Sequence, residues 1–150
     1  MKKIILFLAI MALFASSCKE NEVVSQDAID RVKINNYLEQ NSLSATEHPS
    51  GLYYIIQEAG NENHPDINAT VTVSYDGKLL DGSRFDRGEF FTSPLYELIK
   101  GWQLGIPLIG EGGSIKLFIP SSLAYGGQST ASIPANSVLI FDVSLHYFSN

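Results

Sequence analysis

The sequence has a single cysteine, few basic residues and no long apolar run. With only Cys18 among 150 residues, the chain cannot form an intramolecular disulfide. Ten Lys and Arg against sixteen Asp and Glu give a net charge of −6, which argues against nucleic acid as the main partner because binding there depends on neutralising phosphates. The three histidines are scattered and far from Cys18. This spacing does not suit metal ligands, and we expect neither a metal nor a cofactor.

The longest apolar run lies near the amino terminus and covers only eleven residues, 4–14. Crossing a bilayer takes about 20 residues, so the run is too short for a transmembrane helix. Two lysines precede it and three small residues follow it. This order is typical of a signal peptide, here residues 1–17.

Cys18 directly follows the small residues, and this ending resembles a bacterial lipobox. We expect cleavage before Cys18 and acylation of its thiol and amino group by palmitate-like chains, which together anchor a protein stably. The mature protein would then be exported and held on a bacterial membrane of the cell envelope, at its periplasmic or surface face. The alternative is an ordinary secretory leader with a chance cysteine at the cleavage site.

A polar tether, residues 18–24, leads to a predicted N-terminal helix. Ser25 can cap a helix that runs to about Gln40, and with the polar residues behind it this helix forms the segment 25–50. The apolar residues expected on one side of the helix are Ile29, Val32, Ile34, Tyr37 and Leu38. Asp30 is placed on the other side. The helix is interpreted either as a spacer from the membrane or as a docking helix for a partner.

From residue 51 onward, most of the chain has the pattern of β-strands. Runs rich in β-branched and aromatic residues, or alternating in polarity, occur at residues 52–56, 71–75, 115–119 and 138–148. In the last run, the residues expected on one face are Leu139, Phe141, Val143, Leu145 and Tyr147. We therefore predict a domain over residues 51–150 that consists mainly of antiparallel strands.

Between these strands the local signals allow two different short helices. One begins at Pro94, a favourable first helical position, and ends near Gly101. The other spans residues 100–106, is stopped by Pro107 and carries Trp102 on its inner side. Local signals do not decide between them.

A set of residues spread over about seventy positions resembles the FKBP family of peptidyl-prolyl cis/trans isomerases. Those that follow the family pattern in order are Tyr75, Gly82, Phe85, Asp86, Leu98, Ile99, Lys100, Gly101, Trp102, Glu111, Gly112, Ile119, Pro120, Leu123, Ala124, Tyr125, Gly126, Ile133, Pro134, Phe141, Asp142 and Val143. The resemblance extends from about Gly51 to Phe148.

The resemblance implies an α+β fold. It would be a curved sheet of five to six antiparallel strands wrapped around one short helix, here the helix with Trp102. The N-terminal helix predicted above precedes this domain and lies outside the resemblance. The resemblance also implies a pocket between the Trp102 helix and the sheet. The residues implied as substrate-binding are Tyr75, Phe85, Phe91, Leu98, Trp102 and Ile133, with Phe90 as the alternative to Phe91. Those implied as catalytic are Asp86, Tyr125, Phe141 and the backbone N–H of Ile99.

The function that the resemblance implies is isomerisation of X-Pro bonds in proline-containing polypeptides. With the predicted leader the protein would act on exported proteins, and we expect it to be a monomer. A non-catalytic or chaperone-like binding module of the cell envelope is the main alternative. A structural lipoprotein with a vestigial pocket is the third. Residues 128–132 differ from the family's usual contacts, which leaves the preference for residues flanking the proline open.

Overall fold

The computed structural model describes residues 24–150, so the predicted signal peptide, Cys18 and nearly all of the tether lie outside the described residues. The described chain has two α-helices, α1 (Gln26–Gln40) and α2 (Lys100–Gly105). Its six strands are β1 (Thr46–Glu47), β2 (Tyr53–Glu58), β3 (Thr70–Leu79), β4 (Arg84–Pro94), β5 (Ser114–Ile119) and β6 (Leu139–Ser149). Short 3-10 turns occur at Leu95–Glu97, Ile106–Leu108 and Ser121–Leu123.

The six strands form one antiparallel sheet in the order β1-β2-β5-β6-β3-β4. The predicted α+β fold class is confirmed. β5 illustrates how sequence alternation builds the sheet: Ile115, Leu117 and Ile119 are fully buried in the main core, whereas Phe118 is buried in a second core that includes residues of α1. Both faces of the sheet are therefore covered by helix.

The short helix is the one that carries Trp102. Pro94 ends β4 and a 3-10 turn follows, so the alternative helix beginning at Pro94 does not form. Glycine at position 101 lets α2 lie close to β5, since a Cβ there would lie only 2.5 to 2.8 Å from side-chain atoms of Ile119. Trp102 is thereby held in the core at 4% exposure.

The N-terminal helix is confirmed, but its buried face differs from the prediction. The Ser25 side chain caps it by accepting a hydrogen bond from Ala28 N. Its buried residues are Asp30, Ile34 and Leu38, while Ile29 and Val32 are 38% and 58% exposed. Asp30, predicted on the opposite side, turns inward because its carboxylate is hydrogen-bonded to a distant loop. Thus α1 packs on its own sheet and is not a free spacer.

One residue of β6 also departs from the predicted alternation. Thr72 pairs with Tyr147 and Val73 with Leu145, which leaves one extra residue in β6. Such a bulge reverses the side-chain alternation beyond it. Tyr147 is consequently 57% exposed, and Phe148 packs against the main core instead.

Within residues 24–150, no helix combines the length and the apolar character needed to cross a membrane.

Candidate active site

A cleft of about 300 Å³ opens where the start of α2 faces β3, β4 and β6. It is lined by Tyr75, Asp86, Phe91, Glu97, Leu98, Ile99, Trp102, Tyr125 and Phe141. The lining therefore combines five aromatic rings with two aliphatic side chains and two carboxylates.

The floor and walls of the cleft are aromatic rings packed edge to face. The Trp102 ring centroid lies 5.1 Å from those of Tyr75 and Phe141, at interplanar angles of 78° and 85°. Phe91 lies 5.9 Å from Tyr75, and Phe85 supports Phe141 from 5.4 Å. Edge-to-face pairs of this kind are favourable beyond the area they bury. The rings brace one another and hold the shape of the cleft.

Asp86 is fixed at the rim by one hydrogen bond to each carboxylate oxygen. Tyr75 Oη donates to Oδ2 and Arg87 N donates to Oδ1, both at 2.8 Å. Burial, together with the hydrogen bond to Asp86, raises the pKa of Tyr75 to about 12, so the phenol remains a donor at ordinary pH. The ring of Tyr75 can lie against β4 because position 88 is glycine, where a Cβ would be 2.6 Å from Tyr75 Cε1.

Two hydrogen-bond donors belong to residues that line the cleft, Ile99 and Tyr125. Ile99 precedes α2 as its N-cap, and its carbonyl accepts from Trp102 N and Gln103 N. Among residues 24–150, none accepts the Ile99 N–H or the hydroxyl of Tyr125, which is 44% exposed. An apolar cleft with such donors can hold a small apolar ring and bind the carbonyl groups attached to it.

The indole nitrogen of Trp102 is a further polar group of the cleft floor. Its Nε1 is buried and has no hydrogen-bond partner in the part of the chain that the structure describes. An unpaired buried donor is uncommon in proteins, and this one belongs to a residue that lines the cleft.

Most of the residues predicted for the site come together in this cleft. They are Tyr75, Asp86, Phe91, Leu98, Ile99, Trp102, Tyr125 and Phe141. Two lie behind its surface. Phe85 contacts Phe141 without lining the cleft, and Ile133 is 6% exposed within the main core.

The two neighbouring phenylalanines of β4 are placed differently. Phe91 lines the cleft, whereas Phe90, with φ of 51°, is 63% exposed and stacks on His146 at 4.3 Å. Glu97 lines the cleft but was not predicted. The only feature of the sequence that points to Glu97 is its position directly before Leu98 and Ile99.

In the described range, 24–150, no three His, Cys, Asp or Glu side chains are grouped so that they could hold a metal ion.

Fold and cleft together define an α+β protein with an aromatic cleft between a short helix and a six-stranded antiparallel sheet. The family model for FKBP-type peptidyl-prolyl cis-trans isomerases matches residues 61–146. The chain belongs to this family.

Relatives and solved structures agree with that membership. The chain is 41% identical over 137 residues to the FKBP-type peptidyl-prolyl cis-trans isomerase FkpA of Buchnera aphidicola subsp. Schizaphis graminum, covering 88% of this chain and 52% of the relative. The crystal structure of FkpA from Escherichia coli matches with a TM-score of 0.73 and 38% identity, over 82% of this chain and 61% of that one.

A peptidyl-prolyl cis-trans isomerase of Pseudomonas syringae pv. tomato matches with a TM-score of 0.71 and 25% identity, over 85% of this chain and 98% of that one. The chain spans about half the length of the first curated relatives it matches.

Proposed function

We propose that this protein is a peptidyl-prolyl cis/trans isomerase that accelerates rotation about X-Pro bonds in polypeptides. The observation that carries the proposal is the cleft itself, a braced aromatic pocket of about 300 Å³ with two hydrogen-bond donors on residues that line it. Family membership supports the same activity. The isomerase unit is assigned to residues 51–150, with residues 25–50 as an N-terminal addition packed on it.

The physics of the reaction suits such a cleft. Resonance of the C–N bond opposes rotation by about 18–20 kcal/mol for an ordinary peptide, and uncatalysed X-Pro isomerisation takes tens of seconds or more. The planar imide is the more dipolar state, and the twisted transition state loses that charge separation. A pocket poor in water disfavours the planar form relative to the twisted one. Each 1.36 kcal/mol of this difference gives about a tenfold change in rate.

The residues of the cleft then take distinct roles. The proline ring packs on Trp102 and Phe141, whose faces match its compact apolar shape. The Ile99 N–H and the Tyr125 hydroxyl donate to carbonyls of the flanking chain and hold it while the imide turns. Asp86, held by two donors, orients the rim and favours the twisted imide electrostatically. The reaction breaks no covalent bond and moves no proton, so Asp86 is not assigned as a general base.

The test is proline isomerisation of short X-Pro peptides followed by NMR exchange, with the soluble chain beginning at Lys19. We expect acceleration by the wild type and its loss in the double variant Asp86→Leu and Phe141→Tyr. A matched double variant, Glu89→Leu and Phe90→Tyr, makes the same exchanges at exposed positions outside the cleft and should retain activity. Absence of acceleration by folded wild type across several X residues would support the binding module instead.

The site of action is proposed from the sequence. Export, cleavage before Cys18 and acylation of Cys18 would anchor a monomeric isomerase to a membrane of the cell envelope, within reach of exported polypeptides. In a bacterium that processes lipoproteins, labelled palmitate should enter the wild type but not Cys18→Ala, and only the variant should leave the membrane fraction. Equal labelling or equal membrane association of the two would refute the anchor.

A further inference from the structure

Asp30 of α1 is a charged residue with 0% exposure, far from the cleft in sequence. Its Oδ2 accepts hydrogen bonds from Ser121 N at 2.8 Å and from Ser121 Oγ at 2.6 Å. Its Oδ1 accepts from Gln26 Nε2 at 2.7 Å and lies 3.5 Å from Lys33 Nζ. Burying a carboxylate is costly even when it is paired, and such groups are often better explained by the geometry they impose than by stability.

Ser121, the residue that Asp30 holds, is hydrogen-bonded to both chain neighbours of Tyr125. Ser121 begins the 3-10 turn that follows β5. Its carbonyl accepts hydrogen bonds from Ala124 N at 3.0 Å and from Gly126 N at 2.8 Å. These two residues flank Tyr125 on either side. A displacement of Ser121 would therefore move both ends of the short segment that presents the Tyr125 hydroxyl to the cleft.

The same helix also contacts the other end of this loop. Gly126 O accepts a hydrogen bond from Asn136 N at 2.8 Å, and Lys33 Nζ lies 3.5 Å from Asn136 O. The lysine contact is exposed and long, so it contributes little by itself. The buried bonds of Asp30 carry the argument, and Lys33 shows that α1 spans both stems of the loop.

We propose that Asp30 is a positioning residue for the active site, which acts through Ser121 to set the place of Tyr125. Asp30 thus acts on the site from outside the residues 61–146 that the family model matches. This inference rests on the proposed function, in which Tyr125 binds a carbonyl of the substrate.

A double-mutant cycle tests the proposal, with the full chain in mild detergent so that the N-terminal segment is present. Asp30→Ala should lower kcat/KM for X-Pro peptides about tenfold, through the loss of one positioned hydrogen bond at the rim. Asp30→Asn keeps an oxygen that can accept from Ser121, and it should recover most of the activity. In a Tyr125→Phe background, Asp30→Ala should change kcat/KM less than twofold, because interacting residues are not additive.

The control is Leu38→Ala, which removes a buried apolar side chain of α1 from the second core and leaves the hydrogen bonds of Asp30 to Ser121 in place. It should lower the unfolding temperature and leave kcat/KM unchanged. The proposal would be overturned if Asp30→Ala lowered kcat/KM by the same factor in the wild-type and Tyr125→Phe backgrounds. Unchanged activity in folded Asp30→Ala would also overturn it. If Asp30→Ala does not fold, Ser121→Ala removes one of the two bonds, and the same cycle with that variant decides.

Amide hydrogen exchange separates this inference from the proposed function. Ala124 N and Gly126 N should exchange faster in Asp30→Ala than in the wild type, while amides of β3 stay as protected as before. Unchanged exchange at both positions would refute the positioning role whatever the activity. A wild type without isomerase activity would refute the proposed function, and the exchange measurement would still decide the structural link.

Discussion

Replacing Gly101 by alanine perturbs the contact that holds α2 against β5. The new Cβ would lie 2.5 Å from Ile119 Cγ2, 2.6 Å from Cδ1 and 2.8 Å from Cγ1. Ile119 is fully buried and cannot swing into solvent, so either α2 moves away or Ile119 leaves its rotamer. Overpacking of this kind costs about 1–3 kcal/mol, and alanine regains at most about 1 kcal/mol over glycine in a helix. We expect a net loss of about 1–2 kcal/mol in the free energy of unfolding.

The neighbouring residue, Trp102, is the only tryptophan in the chain, so its fluorescence reports both unfolding and the environment of the cleft floor. In urea, with a slope of about 2 kcal/mol per molar from the middle of the usual range, the unfolding midpoint of Gly101→Ala should fall by roughly 0.5–1 M. kcat/KM should fall as well, because the floor shifts with the helix.

Two further variants complete this test. Ile119→Val deletes Cδ1, one of the three close atoms, so the double variant with Gly101→Ala should be more stable than the sum of the single losses predicts. The control is Gly127→Ala, whose Cβ would meet nothing closer than Asn136 Oδ1 at 3.7 Å. An unchanged midpoint for Gly101→Ala, or strict additivity in the double variant, would refute the packing argument.

Three other perturbations test a wall of the cleft and two ionisable residues of β3. Phe91→Ala should lower kcat/KM about tenfold by removing a cleft wall, whereas Phe90→Ala should leave it unchanged; equal effects would contradict their placement. Because burial and a neighbouring carboxylate raise the pKa of Tyr75 to about 12, the stability it contributes is complete below pH 10 and lost as pH rises toward 12. The urea midpoint of Tyr75→Phe should fall less steeply than that of the wild type between pH 10 and pH 12. Equal falls in the two proteins would refute this. Arg84, hydrogen-bonded to Asp76, holds the pKa of that carboxyl well below its usual range. The stability that ionised Asp76 contributes is therefore present above about pH 4 and is lost as pH falls further. Asp76→Asn should lose less stability on acidification, and an identical loss would argue against the ion pair.

Much of the fold could be predicted because its strands carry a local pattern. The alternation of Ile115, Leu117 and Ile119 assigns β5 to a sheet with a buried face, and Ser25 marks the start of α1. The cleft could be predicted only through the ordered family residues. Its members come from strands, a helix and a loop that long-range pairing brings together, and no local period reports such pairing.

Asp30 and Tyr147 depart from the sequence prediction because contacts distant in sequence decide their burial. Asp30 has the polarity of a solvent-facing residue, and it is buried because Ser121, 91 positions later, supplies two donors. The side chains of β6 alternate as predicted up to Leu145. One extra residue in the pairing with β3 then reverses the alternation, so Tyr147 is exposed. In the first case a tertiary hydrogen bond overrides the local pattern, and in the second a change of strand pairing does.

Each side of the cleft is set by a contact made outside it. Gly101 lets α2 lie close to β5, and Gly88 leaves room for the ring of Tyr75 against β4. Asp30 of α1 binds Ser121 and so holds the loop that carries Tyr125. The chemistry needs a pocket that does not relax around the planar imide, and a displacement of about 1 Å in a catalytic group can cost up to about a hundredfold in rate. Substitutions at these three supporting positions should therefore lower activity by more than their effect on stability accounts for, while exposed positions such as Phe90 should not.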